Sequence, residues 1–201
     1  MARSSACEIP TLKRRKCAQT TRAAILEAAR TMFAARGYEQ TGLRDIATSA
    51  GIDAAMICRY FGSKQELLAA VLEAQSNVSD ILSGPREDIG RRMAEQLFSY
   101  DGGDNEMLAE MLVVLRAASS REAAPLLSHS IEENFLAPLR ARLTGAQRSE
   151  RAVLIGAYLL GTAVLRFVLK TGMEPAPSDA RLMDMLTRTL QAAVDAPQTS
   201  G

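Results

Sequence analysis

The chain has 201 residues, of which 47% are hydrophobic and 23% charged, an ordinary composition for a soluble globular protein of one or two domains. Aromatic residues make up only 4% and Trp is absent, so Leu, Ala, Val, Ile and Met must fill the interior. Such a core favours helices.

The net charge of +1 is unevenly distributed. Residues 1–64 contain eleven Lys or Arg and five Asp or Glu, a net charge of +6, whereas the remainder contains thirteen and eighteen, a net charge of −5. A basic first third joined to an acidic remainder predicts one domain that faces a polyanion and a second with a different task. A solvated charged face would explain the split equally well.

The cysteines argue against metal and disulfide sites. Cys7, Cys17 and Cys58 lack Cys-x-x-Cys or Cys/His spacing, so reduced thiols in a cytosol are expected. The N-terminal stretch has no apolar core, so no secretory signal is expected. The apolar run over 152–165 is about 14 residues long, which predicts a buried helix rather than a membrane span. We expect a cytoplasmic protein without cofactor or metal.

Residues 1–19 carry four consecutive basic residues at 13–16 without apolar periodicity, which predicts a disordered basic arm. Such an arm could follow a phosphate backbone or enter a minor groove, although a solubilising tail is an alternative. A first helix is expected over 20–36, with apolar side chains at helical spacing and Gly37 as its end.

The stretch 41–66 predicts a helix-turn-helix. Two short apolar-periodic runs flank a turn centred on Gly51, and each run is too short to be stable alone. Thr41 is expected to cap the second helix, and Asp53 the third, which covers 54–60. In such a unit the second of the two helices can enter a DNA major groove.

A long fourth helix is expected over 64–83 as the connection between two domains. Ser63 and Glu66 form an S-x-x-E capping box at its start, and Gly84-Pro85 breaks the pattern at its end. The predicted division after the basic arm is a DNA-binding domain over 20–66, a regulatory and dimerisation domain over 67–196, and a disordered tail over 197–201.

Five further helices are expected in the regulatory part, over about 87–100, 106–118, 125–143, 147–171 and 179–195. Pro138 should kink the third of these. No strand-like alternation is found. The predicted fold class is therefore all-α: an N-terminal three-helix DNA-binding domain with a helix-turn-helix, plus a larger C-terminal helical domain for ligand binding and dimerisation.

The candidate DNA contacts lie on the second and third helices and at the start of the fourth. Small residues at the start of the third helix would let it go deep into the groove, and Arg44 is the candidate for bidentate guanine readout. Lys64 and the amides of the fourth helix form an anion site. Each side chain alone could equally be an ordinary surface residue. The candidates are Thr41, Arg44, Ala54, Ala55, Met56, Arg59, Tyr60 and Lys64.

The segments Gly37-Tyr38, LRDIATSAGI and RYFGSKQELL, in this order and spacing, resemble the N-terminal domain of the TetR/AcrR family of bacterial transcriptional repressors. The resemblance covers about residues 20–71. It implies a homodimer that binds a near-palindromic double-stranded DNA operator. It also implies that the larger domain binds a small molecule and thereby releases the DNA.

Two positions depart from the family pattern. The family usually has an aromatic residue, mostly Tyr, where Cys58 stands, and that Tyr commonly contacts a phosphate. The resemblance therefore leaves the phosphate contact to Tyr60, Arg59 and Lys64. Ala55, which is often Gly in the family, is a milder change.

A two-fold dimer is favoured because one headpiece of this size reads only a few base pairs. The interface is predicted on helices 147–171 and 179–195, which from two subunits would form a four-helix bundle. The alternative is that the apolar helix is simply the domain core. The candidate interface residues are Ala157, Gly161, Leu165, Leu182, Met185, Leu186 and Leu190.

A pocket for an apolar or amphipathic effector could be lined by Met and aromatic side chains, although the same stripe could be plain core. Its candidates are Phe98, Met107, Met111, Leu115, Phe135 and Tyr158. There is no nucleophile motif, metal-ligand cluster or Gly-rich phosphate loop, so an enzyme is not expected. A ligand-independent DNA-binding regulator or an architectural protein remains the alternative to a ligand-responsive repressor.

Overall fold

The computed structural model describes residues 10–74, 78–99, 106–169 and 177–195, with side chains over 18–74, 78–99, 111–169 and 179–195. These residues form α-helices, one 3-10 turn and two π turns, and none of them is in a strand, which confirms the all-α fold class. The helices are α1 Pro10–Arg36, α2 Leu43–Ala50, α3 Ala54–Phe61, α4 Lys64–Glu73, α5 Val78–Ser83, α6 Ile89–Phe98, α7 Glu106–Ala117, α8 Ala123–Ile131, α9 Ala137–Arg142, α10 Arg148–Ala163 and α11 Pro177–Asp195.

The first helix begins ten residues earlier than expected. Because α1 starts at Pro10, the basic residues over 13–16 belong to a helix and not to a disordered arm. No Gly or Pro interrupts 11–36, Lys and Arg are good helix formers, and Pro is favoured in the first helical turn. The remainder of the expected arm, residues 1–9, and the expected tail over 197–201 lie outside the described residues.

The three-helix unit shares its core with the regulatory part. The apolar faces of α1, α2, α3 and α4 meet around fully buried side chains such as Phe33, Ile46 and Leu67. The facing ends of α7 and α8 close the same core, with Val113, Ala117, Ala123 and Leu127. The packing unit that carries the helix-turn-helix therefore extends beyond the segment expected for the DNA-binding domain.

A second core lies between α5, α6, α9, α10 and α11. Its closest helix pair is α6 against α11, which meet at Gly90. A Cβ on Gly90 would lie 2.5 Å from the amide nitrogen of Gln191 and 2.8 Å from the carbonyl oxygen of Thr187. Any larger side chain at this position would force the two helices apart.

Two of the expected long helices are interrupted. The fourth consists of α4 and α5, with residues 75–77 between them outside the described residues. In the 125–143 segment, a π turn over Glu132–Leu136 separates α8 from α9. Pro138 stands at the start of α9 and has no amide hydrogen, so the α-helical hydrogen-bond pattern cannot continue through it. The local disturbance expected from Pro138 takes the form of this turn.

The most apolar stretch is α10 with the π turn Val164–Val168 that follows it. By length and composition alone, Arg148–Val168 would be long enough to cross a membrane, which is weak evidence because core helices of soluble proteins share this property. Here Ala152, Ile155, Leu159 and Ala163 are buried in the second core. The opposite side of the helix is exposed and apolar.

Candidate nucleic-acid interface

The second helix begins one residue later than its sequence indicates. Gly42 is the N-cap of α2, and Oδ2 of Asp45 accepts a hydrogen bond from its amide at 3.1 Å. Thr41 is only 1% exposed, and its hydroxyl donates to the carbonyl of Gly37 at 2.7 Å. The expectation that Thr41 caps α2 and contacts DNA through its side chain is therefore wrong, because the hydroxyl closes the end of α1 instead.

The turn between α2 and α3 has the geometry of a helix-turn-helix. Gly51 has φ +66°, a left-handed conformation that glycine adopts without steric cost, and its amide donates to the carbonyl of Thr48 at 3.2 Å. Asp53 then caps α3, because its Oδ1 accepts from the amide of Ala55 at 2.7 Å. Both the turn and the cap agree with the sequence.

The short third helix has one buried side and one solvent-facing side. Ile57 and Phe61 are buried in the first core, whereas Ala55, Cys58 and Arg59 are exposed. The small, then basic, sequence of side chains on the outer face is suited to the major groove and its flanking phosphates.

The other α2 and α3 candidates surround this outer face. Arg44 is exposed on α2, which packs against α3. Ala54, Met56 and Tyr60 are half-buried. The guanidinium carbon of Arg59 lies 5.5 Å from the ring centroid of Tyr60, so both residues reach the same part of the surface.

The start of α4 presents Lys64 beside a helix N-terminus. Ser63 Oγ accepts from the amide of Glu66 at 3.1 Å, which is half of the expected capping box. The other half is not formed among the described residues, since the Ser63 amide donates to the carbonyl of Phe61 at 3.1 Å. The partial positive charge of the helix end and the Lys64 ammonium group together form a site for an anion.

Tyr38 is a residue of this region that the sequence did not identify as functional. It is 1% exposed, and the Nζ of Lys64 lies 4.1 Å from its ring centroid. Its hydroxyl donates to Oε2 of Glu122 at 3.3 Å, and Nε2 of Gln65 donates to the same oxygen at 3.3 Å. Burial, followed by the nearby Glu122 carboxylate, raises the pKa of Tyr38 to about 12.

No local sequence signal could have connected Tyr38 to Glu122. The two residues are 84 positions apart, and Glu122 stands among polar residues before α8. Only the packing of the α7 and α8 ends against the first core brings the two side chains together.

A cavity of about 380 Å³ lies between α4, α7, α8 and α10. Its wall is almost entirely apolar. Ser130 and Asn134 are the polar residues in the lining, and Nδ2 of Asn134 donates to Oγ of Ser130 at 3.0 Å. The lining residues are Leu72, Val78, Met111, Val114, Ser130, Ile131, Asn134, Phe135, Leu136, Val153, Gly156, Ala157, Leu159 and Leu160.

Met111 and Phe135 are the expected pocket residues that line the cavity. Phe98 instead packs edge-to-face on Phe167, with ring centroids 5.7 Å apart. Leu115 is one residue beyond the lining residue Val114, about 100° around the helix, and is not in the lining.

Tyr158, another expected pocket residue, is 46% exposed and absent from the lining. The side chain of Met107, the last of the six candidates, lies outside the described residues. Ser130 and Asn134 were not expected in a pocket, because they stand in the polar stretch 128–134, where nothing in the sequence distinguishes them from surface residues.

The expected dimer residues fall into two groups. Ala157, Gly161, Leu165 and Met185 are exposed, with Leu165 at 56% and Met185 at 62%, and Leu182 is half-buried. Leu186 and Leu190 are buried in the second core, so their assignment to an interface is wrong. They belong to the inward side of α11, which packs on α6.

Two family profiles match the chain. Residues 25–71 match the family described as "Bacterial regulatory proteins, tetR family", and residues 87–194 match the "Tetracyclin repressor-like, C-terminal domain". Together they cover most of the described chain.

Individual proteins that are similar to this chain are also transcriptional regulators. An HTH-type transcriptional repressor of Mycobacterium tuberculosis is 45% identical over 51 residues, which is 25% of this chain and 27% of that relative. The HTH-type transcriptional regulator BetI of Agrobacterium fabrum is 27% identical over 172 residues, 78% of this chain and 82% of its own. The solved structure of FadR from Bacillus subtilis in complex with stearoyl-CoA has a TM-score of 0.67 at 17% identity, covering 86% of this chain and 98% of that one.

Proposed function

Since the chain belongs to the TetR family of bacterial regulatory proteins, a family of DNA-binding transcriptional regulators and not of enzymes, we propose that it is a cytoplasmic repressor of transcription that acts as a homodimer. The dimer binds a near-palindromic operator in double-stranded DNA. A small, uncharged and largely apolar molecule binds the cavity and releases the DNA.

The observation that carries this proposal is the outer face of α3. It exposes Ala55, Cys58 and Arg59, and α3 packs against both α2, which carries the exposed Arg44, and α4, which begins at Lys64. In this arrangement Arg44 reads a guanine, Ala55 approaches base edges, and Arg59 and Lys64 bind phosphates. Cys58 supplies no charge or aromatic ring, so the phosphate contacts rest on its neighbours.

Dimerisation is supported by an exposed apolar stripe on α10. Leu154, Tyr158 and Gly161 recur at i, i+4 and i+7 on one side of α10, and Leu165 follows in the π turn directly after it. Leu154, Tyr158 and Leu165 are 52%, 46% and 56% exposed. A contiguous apolar surface of this kind marks an interaction site in a soluble protein. Met185, which is 62% exposed, is the candidate that α11 offers to the same interface.

The effector class follows from the cavity wall. The volume of about 380 Å³ lies within the range of small-molecule sites, and no charged residue is in the described lining. A charged ligand would lose its hydration without a partner there. The amide of Asn134 and the hydroxyl of Ser130 can bind one carbonyl or hydroxyl group of an otherwise apolar molecule.

DNA recognition is tested by selecting duplexes from a random pool with the full-length chain. We expect enrichment of an inverted repeat whose half-sites lie about one helical turn apart, or a multiple of it. A pool that stays random after repeated rounds would refute the sequence-specific part of the proposal.

Ligand binding is tested with the uncharged fluorescent dye N-phenyl-1-naphthylamine. The dye should bind the wild-type chain, and Ser130→Leu should weaken binding because the larger side chain takes up part of the cavity. His129→Leu is the matched control, since His129 is the exposed neighbour outside the lining. Equal dye binding by both variants would contradict the cavity assignment. If cavity ligands never change the affinity for the selected DNA, the protein is a ligand-independent regulator.

A further inference from the structure

The α7–α8 corner, residues 116–123, is attached to the DNA-binding unit by side-chain hydrogen bonds as well as by packing. Arg116 donates to the carbonyl of Ala35, and Ser120 donates to the carboxylate of Glu39. Glu122 accepts from Tyr38 and Gln65. These contacts connect the corner to the end of α1, the α1–α2 turn and the start of α4.

Tyr38 lies between this corner and the anion site. One edge of the side chain, its hydroxyl, donates to Glu122, and one face of its ring lies under the ammonium group of Lys64. Phe33 supports the ring from within the core, with centroids 5.8 Å apart. The ring is therefore held on three sides, and Lys64 rests on it.

We propose that Tyr38 and Glu122 are positioning residues for Lys64, so that the α7–α8 corner of the regulatory part sets the strength of the phosphate contact at the start of α4. Lysine has a long, flexible side chain, and binding a phosphate requires that its rotamers be restricted. The aromatic ring restricts them in advance through its attraction for the cation.

The two helices that meet at this corner also contribute to the wall of the effector cavity, although no residue of the corner itself is in the lining. Met111 and Val114 of α7 and Ser130 and Ile131 of α8 line the cavity, and these two helices meet at the corner. A ligand that separates α7 from α8 would move Glu122 relative to Tyr38. Loss of the hydrogen bond between Tyr38 and Glu122 is then the event by which ligand binding in the cavity weakens the phosphate contact of Lys64.

The inference rests on the proposed role of Lys64 as a phosphate ligand, and the test separates the two. The affinity of the full-length chain for a short duplex of random sequence is measured over a range of salt concentrations. Lys64→Ala should lower the affinity about tenfold and reduce the salt slope by about one. Without that effect, the role of Lys64 itself fails.

Glu122→Ala and Tyr38→Phe should each lower the affinity about threefold. Neither variant should have any effect when Lys64 is already Ala, because the three residues act through one contact. Glu122→Gln should restore binding, since its amide oxygen still accepts from Tyr38. If Lys64→Ala weakens binding but the effects of Glu122→Ala and Lys64→Ala simply add, Glu122 does not position Lys64.

A simple charge effect predicts the opposite sign. Removing an acidic residue lessens repulsion of DNA, so Glu122→Ala and Glu122→Gln would both tighten binding. Glu133→Ala is the matched control, because Glu133 is exposed and lies in the π turn away from Tyr38. Tighter binding by all three variants would overturn the proposal.

Discussion

Tyr38 should make stability sensitive to alkaline pH. Its pKa is raised from 10.0 to about 12 in the folded chain, mainly by burial. The folded state therefore retains the phenolic proton where the unfolded state loses it, and the resulting stabilisation is complete below pH 10. As pH rises from 10 towards 12, the free energy of unfolding should fall by about 1–3 kcal/mol.

This fall can be measured by urea unfolding at a series of pH values. Tyr38→Phe removes the titrating group and should flatten the curve over that range. Tyr60→Phe, which changes a half-buried tyrosine, should leave it as in the wild type. A steep alkaline fall that persists in Tyr38→Phe would assign the effect to another group.

Arg44 and Lys64 should contribute to DNA binding in different ways. Arg44→Ala should cost about 1–3 kcal/mol of discrimination at one position of the selected repeat, because a bidentate guanine contact is lost. Lys64→Ala should weaken binding to all sequences and lower the salt slope by about one. Competition titrations with substituted operators distinguish these results, and identical behaviour of the two variants would contradict the division of roles.

At the scale of elements, the contact between α6 and α11 depends on the absence of a side chain at Gly90. Gly90→Ala should destabilise the chain by about 1–3 kcal/mol, because the new Cβ would overlap the backbone of α11. Thermal unfolding of the variant measures the loss. An unchanged melting temperature would show that α11 can move away without cost.

Gly161→Ala is the matched control within another helix. A Cβ there would have nothing within 4 Å in the described protomer, so the better helix propensity of Ala should stabilise the folded monomer by about 0.5–1 kcal/mol. If Gly161 lies in the dimer interface as proposed, the same substitution should weaken dimerisation. The two measurements together separate folding from association.

At the scale of the whole molecule, the exposed stripe on α10 should determine the oligomeric state. Leu154→Glu combined with Leu165→Glu should yield a folded monomer in sedimentation equilibrium, because both side chains are more than half exposed in the protomer. The monomer should lose high-affinity binding to the inverted repeat. Ser128→Glu, an exposed site on α8, should leave the dimer intact. A dimeric double variant would place the interface elsewhere.

The two hydrophobic cores do not correspond to two consecutive segments of the chain. The first joins α1–α4 to the facing ends of α7 and α8, and the second joins α5, α6 and α9–α11. The cavity lies where elements of both meet, since Leu72 of α4 and Leu159 of α10 both line it. The position of the cavity could not be read from Met and Phe spacing, because two of the five expected residues whose side chains the structure describes line it.

The sequence by itself determined the features that depend on neighbouring residues. Helical periodicity, the left-handed Gly51 and the caps at Asp53 and Ser63 involve residues within one turn of one another, so their letters and spacing specify them. The exposure of Arg44 and Arg59 follows from the same periodicity. Even here, the N-cap of α2 differs from the expectation. Gly42 takes that position in place of Thr41, and its amide donates a hydrogen bond to the Asp45 carboxylate.

Tertiary structure decided which face of each helix is covered and which distant groups meet. Leu190 in the last helix and Leu165 in the apolar run 152–165 were both expected at an interface, yet Leu190 is in the core and Leu165 is on the surface. Arg151, directly before the apolar run 152–165, is buried because carbonyls near the ends of α9 and α11 accept its hydrogen bonds. The Tyr38–Glu122 pair is of the same kind: its energy depends on a distance in space between groups far apart in the chain, which local spacing does not encode.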